Sequence, residues 1–207
     1  MTFTEHLRPV PDRKLSAVLF AVLLVLASSA SAWPTDHLVP WPKPQEFRDE
    51  NSTIFVDSFG PRMRLFGTLD APMDARVAVS MEVEEGRYTI VTWAVKHGHN
   101  SGRADCEFGI SATLGQKIDK VWATMIDGAR NDDPEIVAVD GLLFYFARSY
   151  GGKLNVATAW TPESGEPAAL ADIFSAMSNL CLKPAKTSLD RLSRQANDLL
   201  AKLHKDQ

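Results

Sequence analysis

The sequence predicts an α+β fold: an antiparallel sheet built from two strand-strand-strand-helix blocks with the helices on one face, followed by a C-terminal amphipathic helix. Three observations predict it. Apolar residues alternate with polar ones through Val77, Val79, Met81 and Val83, the period of a strand with two unlike faces. Two later segments, 118–126 and 170–180, space their apolar residues at helical intervals instead. Each follows strand-like runs punctuated by turn residues, so one order of elements occurs twice. Helices laid on one side of an antiparallel sheet are a standard way to bury both apolar surfaces.

Residues 1–32 read as a secretory signal peptide. Arg8, Arg13 and Lys14 precede an apolar run from Leu15 to Ala27, and Ala30-Ser31-Ala32 gives a small-residue cleavage pattern. The run is 13 residues long, whereas a membrane-spanning helix needs about 20. Cleavage is expected between Ala32 and Trp33, leaving no stable membrane span; the alternative is an uncleaved anchor. Loss of three basic and two acidic residues moves the net charge from −4 to −5. A mildly acidic chain without basic clusters is a poor nucleic-acid binder.

Residues 33–50 form a Pro/Trp-rich stretch, with Pro34, Pro40, Pro42 and Pro44 favouring an extended arm over a regular helix. Trp33, Leu38, Val39 and Trp41 are too apolar for a free linker, so the arm is expected to lie against the domain. The fragment WPKPQ, Trp41 to Gln45, resembles the start of the N-terminal domain of family-20 hexosaminidases. No catalytic barrel follows it, so no activity is carried over.

Residues 51–183 are expected to form one α+β domain. Thr53 to Val56 and Met63 to Phe66 read as short strands. After the alternating strand, Glu85-Gly86 marks a tight turn, and Arg87 to Lys96, apolar on both faces, a more central strand. A polar loop leads to Cys106, Phe108, Ile110 and Ala112 on the inner face of a third strand. Thr113 and Gln116 fit a capping box before the helix whose stripe is Ile118, Val121, Trp122, Met125 and Ile126, with Gly128 as its left-handed stop. In the second block, Ile136 to Val139 is a strand, Asp140-Gly141 a hairpin turn and Leu142 to Ser149 the next strand. Gly151-Gly152 turns into Lys153 to Trp160. A helix starting near Pro167 carries Leu170, Ile173, Phe174, Met177 and Leu180.

Residues 184–207 contain the C-terminal helix. Leu189, Leu192, Ala196, Leu199 and Leu203 step 3, 4, 3, 4, a narrow seam. Such a seam either packs onto its own domain or makes a partner or oligomer contact.

Several candidates for chemistry follow. Cys106 and Cys181 are the two cysteines. In an oxidising compartment they are expected to form one disulfide, worth roughly 4 kcal/mol for a loop this long; two buried thiols are the alternative. His97-Gly98-His99 places two imidazoles on one side of an extended chain, with Asp105 and His37 as further ligand candidates for zinc or copper. A solvated hairpin loop explains the same residues. Asn51-Ser52-Thr53 matches a glycosylation sequon. Trp33 and Trp41 are candidate recognition aromatics, with Leu189, Leu192 and Leu199 as a candidate partner surface.

No nucleophile elbow, phosphate loop or cofactor motif is present in the sequence, and no cofactor is expected. The reading is therefore a periplasmic or secreted, non-enzymatic protein that binds a macromolecular partner, a protein of the cell envelope. The alternatives are a small-ligand or metal-binding protein using the His97–Asp105 loop, and an unrecognised hydrolase.

Overall fold

The longest strand pairing lies where alternation is strongest, Ala75–Glu84 against Arg87–Lys96. In the computed structural model, residues 37–70, 75–96, 104–131, 142–182 and 186–205 are described. Residues 1–32, read from sequence as a signal peptide, Trp33, His97, His99, and the strand and turn expected at Ile136–Val139 and Asp140-Gly141 lie outside them. The elements are β1 (Val39–Pro40), α1 (Pro44–Ile54), β2 (Met63–Asp70), β3 (Ala75–Glu84), β4 (Arg87–Lys96) and β5 (Cys106–Ile110). They continue with α2 (Ala112–Asp127), β6 (Leu143–Tyr150), β7 (Lys153–Trp160), α3 (Gly165–Leu182) and α4 (Lys186–Leu203). Among the described residues the strands form one antiparallel sheet in the order β1-β7-β6-β2-β3-β4-β5. The α+β architecture read from the sequence is the observed one.

The first block is longer than expected. β2 leads a four-stranded meander and also pairs with β6, so it joins the two blocks. Two turns follow the expected chemistry. Glu85 and Gly86 have φ of 50° and 77°, and Gly151 and Gly152 have 59° and 78°. Positive φ at both central residues matches the twist of the flanking strands.

α2 and α3 cover one face. Their stripes, Ile118, Val121, Trp122 and Leu170, Ile173, Phe174, Met177, meet Leu65, Val79, Met81, Ile90, Phe144 and Phe146 in one core. Gly67 permits this closeness, because a Cβ there would lie 2.8 Å from the Phe174 ring and 3.3 Å from Trp122. α4 lies behind, packed across α3 and α2.

Four local expectations need correction. Residues 44–50 are helical rather than an extended arm, and the helix continues through Thr53 to Ile54 in place of a strand. The reason is positional: Pro44 stands in the first turn, where its missing N–H has no intrahelical acceptor to lose. The other sheet face is not wet. Ala78 and Ser80 are fully buried, and Ala78 joins Phe47, Phe55, Phe66 and Trp93 in a second core beneath α1. The cap of α2 is Ser111, whose hydroxyl accepts from the Leu114 N–H at 3.3 Å, rather than the Thr113–Gln116 box; β5 ends at Ile110 and leaves Ser111 extended. Gly128 has φ −85°, so α2 stops without a left-handed residue.

A bulge also lies at Arg64. The register of β2 shifts between Met63 and Leu65, which sends Met63 to the α1 core and Leu65 to the helical core.

Candidate functional site

The α1 face holds a cleft of about 90 Å³, lined by Trp41, Glu46, Phe47, Glu50, Asn51, Thr68, Arg76 and Tyr145. Each side chain has a local cause. The chain leaves β1 at Pro40, and the Trp41 N–H donates to Val156 O at 2.8 Å, which holds Trp41 to the β7 edge. Its ring meets Tyr145 edge-on, with centroids 5.4 Å apart. Tyr145 follows Phe144 on β6 and so points to the opposite face; its ring lies 5.3 Å from Phe47.

Phe47 is the apolar anchor of α1. Asn51, one turn later, is also buried, and its Nδ2 donates to Phe47 O at 2.9 Å. The sequon asparagine is thus folded into a helix, with its amide nitrogen committed to the backbone. Glu46 and Glu50 stand on the exposed side of the same turn. Glu46 pairs with Lys43 at 3.0 Å, and Arg76 from β3 reaches Glu50 at 3.6 Å. Thr68 donates its hydroxyl to Val77 O at 3.1 Å.

The donors and acceptors define what the cleft can do. The Thr68 hydroxyl proton and the Asn51 amide nitrogen are engaged by backbone carbonyls. The Trp41 Nε1–H is buried with no acceptor among the described residues. A buried unsatisfied donor costs about 1–3 kcal/mol. The lining therefore offers aromatic surface, one uncommitted N–H and a charged rim.

A second charged group lies at the other end of β3. Arg62 bridges Glu82 and Glu84, at 3.2 Å each. Burial raises the Glu82 pKa; Arg62 pulls it down, and Glu107, Glu84 and Asp57 push it up. The same carboxylates hold the Arg62 pKa above its ordinary value.

Of the residues singled out from the sequence, Trp41 lies in the cleft. Leu192 and Leu199 are buried at 0% and 1% exposure in the core of their own domain, with Leu189 packed against it. The C-terminal seam is filled by α2 and α3, which withdraws it as a partner or oligomer surface: an amphipathic stripe beside a helical layer packs there first. Cys106 opens β5 and is not a free thiol. Cys181 belongs to the last turn of α3. Among the described residues, no three His, Cys, Asp or Glu side chains gather to hold a metal. Phe47, Arg76 and Tyr145 were not singled out from sequence as site residues. The Phe47–Asn51 spacing of one helical turn is the one sequence signal of the α1 contribution, and the Pro44 reading hid it; Arg76 and Tyr145 leave none.

Among the described residues, no helix is long and apolar enough to cross a membrane. Comparisons with protein families, curated proteins and solved structures return no significant match.

Proposed function

We propose that the protein is exported to the periplasm or beyond the cell and acts there as a non-enzymatic module. It binds a macromolecular partner, a protein of the envelope, with the Trp41 cleft as its anchor pocket. The observation that carries this reading is the size and lining of the cleft. At about 90 Å³ it is well below the roughly 300–1,000 Å³ of small-molecule sites. It suits one inserted side chain, and aromatic-lined pockets of that kind carry the binding energy of protein interfaces.

Export is supported by the basic, apolar and small-residue order of residues 1–32. A Cys106–Cys181 crosslink is supported by the chain having two cysteines and by the packing of α3 on β5. Intact mass of the exported protein tests both. The expected species begins at Trp33 and gains two hydrogens on reduction; a full-length, already reduced chain counts against them.

The binding reading is tested by photocrosslinking in the native cell. A photoreactive residue replacing Glu46, on the cleft rim, is expected to give a discrete adduct that Trp41→Ala abolishes. The same residue at Asp190, on α4, is expected to give none. A protein without any Glu46-specific adduct does not use the cleft as proposed.

A further inference from the structure

We propose that the β6–β7 hairpin tip is a docking surface for an acidic protein segment, one presenting carboxylates beside an aromatic or apolar side chain. The proposal rests on the binding reading above but uses a different surface. Tyr145 faces the cleft, whereas Tyr150, at the far end of β6, alternates to the other face.

Tyr150 is 62% exposed, and with Leu142 it completes the exposed large hydrophobic residues among those described. A lone surface tyrosine carries no meaning; this one is held by cations. The Arg148 guanidinium lies 5.0 Å from its ring centroid and that of Arg64 5.6 Å, both within cation–π range. Arg148 stands two residues back on the same strand face. Arg64 comes from β2, at the bulge that breaks the strand's alternation. Lys153 is the register partner of Tyr150 across the Gly151-Gly152 turn.

The electrostatics select the occupant. Asp119 accepts from Arg148 Nε at 3.3 Å, which fixes that guanidinium while its terminal nitrogens have no acceptor among the described residues. Arg64 has no carboxylate within ion-pair range among them. Two guanidinium groups over the ring, with Lys153 paired to Tyr150 across the turn and Asp119 the one carboxylate bonded to them, leave an excess of positive charge at an exposed ring on a chain of net charge −4. Guanidinium forks match carboxylates in bidentate geometry, and the ring gives an apolar side chain something to pack on. The cations form a spot rather than a track, and the rest of the molecule is acidic. That disfavours a nucleic-acid backbone or an anionic bilayer, which reward extended basic surface.

The test uses the exported protein and a dye-labelled peptide alternating glutamate with tyrosine, followed by fluorescence anisotropy at low salt. Saturable binding is expected. Arg64→Glu and Tyr150→Ala each weaken it about tenfold or more, and Tyr150→Phe retains it, since the ring is kept. Arg191→Glu, the same charge change on the exposed side of α4, leaves it unaltered. Thermal melts check that each variant is folded; if Arg64→Glu misfolds, Arg64→Gln replaces it with the same expectation.

Absence of saturable binding by the wild type overturns the proposal, as does equal weakening by Arg191→Glu. Tighter binding to phosphatidylglycerol vesicles or to single-stranded DNA, lost in the same variants, also overturns it. A Glu46-specific crosslink that persists without peptide binding removes this surface alone. Loss of both removes the binding reading itself.

Discussion

The two faces of the sheet are closed in different ways. On one, α2 and α3 lay continuous apolar stripes over β2, β3, β4 and β6, with α4 sealing them from behind. On the other, α1 buries only Phe47 and Asn51 of its eleven residues. The rest of that cover comes from Phe55, the partly buried Phe59 and Trp93, whose indole N–H donates to Val56 O at 3.2 Å. The thick face is filled by side chains selected for packing. The thin face is closed by a few aromatic rings, and there a cleft remains between α1 and the sheet. The two faces thus differ in how completely side chains fill them.

The largest expected effect breaks the thick face. Trp122 is fully buried, edge-on to Phe146 with centroids 5.4 Å apart. Trp122→Ala is expected to cost about 3–5 kcal/mol, the usual loss for a large buried aromatic, and to loosen the whole domain. Phe47→Ala is expected to fall at the low end of that range, about 3 kcal/mol, and to release α1 while the meander persists, since few contacts tie that helix down. Denaturant unfolding gives the magnitudes, and native-state hydrogen exchange locates the opening. Global loss of protection in Phe47→Ala, matching Trp122→Ala, would erase the distinction between the faces.

A smaller change sharpens it. Gly115 is buried within α2, and a Cβ there would collide with the Tyr88 ring and its Cβ. In an open helix, Gly→Ala gains about 0.5–1 kcal/mol. Here Gly115→Ala is expected to lose about 1–3 kcal/mol by overpacking. Tyr88→Ala in the same chain is expected to restore part of that loss, so the two substitutions couple in a double-mutant cycle. Additive effects would mean that α2 shifts freely and that the thick face is not tightly packed.

The faces also differ in how legible they are in the sequence. Ile118, Val121, Trp122, Met125 and Ile126, and the stripe from Leu170 to Leu180, are where helical spacing puts them, because one long amphipathic helix writes its own burial into its period. The Leu192 and Leu199 seam is equally clear, though its two uses, packing or partnership, share one pattern. The thin face is written faintly. Ala78 and Ser80 are small or polar and look solvated, yet α1 and its aromatic neighbours cover them. Pro44 breaks helices at most positions and starts one at the first turn. The cleft joins Trp41, Arg76 and Tyr145 from three separate strands or edges, and a pairing register of that range leaves no local mark. The same holds for Arg64 and Tyr150, neighbours only because a bulge in β2 meets the end of β6.

The smallest expected effect lies at the margin of the thin face and is read through pH. The Glu82 side chain is 15% exposed, 3.2 Å from Arg62. Burial raises its pKa; Arg62 opposes that rise without cancelling it, and Glu107, Glu84 and Asp57 reinforce it. The folded protein therefore keeps a proton on Glu82 at pH values where the unfolded chain has released it. The sign follows: this group's contribution is full below the ordinary glutamate pKa and is lost as pH rises through the elevated folded value. Denaturation midpoints taken from mildly acidic to neutral buffer are expected to fall more steeply for the wild type than for Glu82→Gln. Arg62 keeps Glu84 as a partner in that variant, so the difference between the curves isolates the buried carboxylate. Glu84→Gln removes one of the charges that push the Glu82 pKa up, so its slope is expected to lie between those of the wild type and Glu82→Gln. Parallel curves for the wild type and Glu82→Gln would show that water reaches Glu82 freely, and that the thin face is more open at this corner than its packing implies.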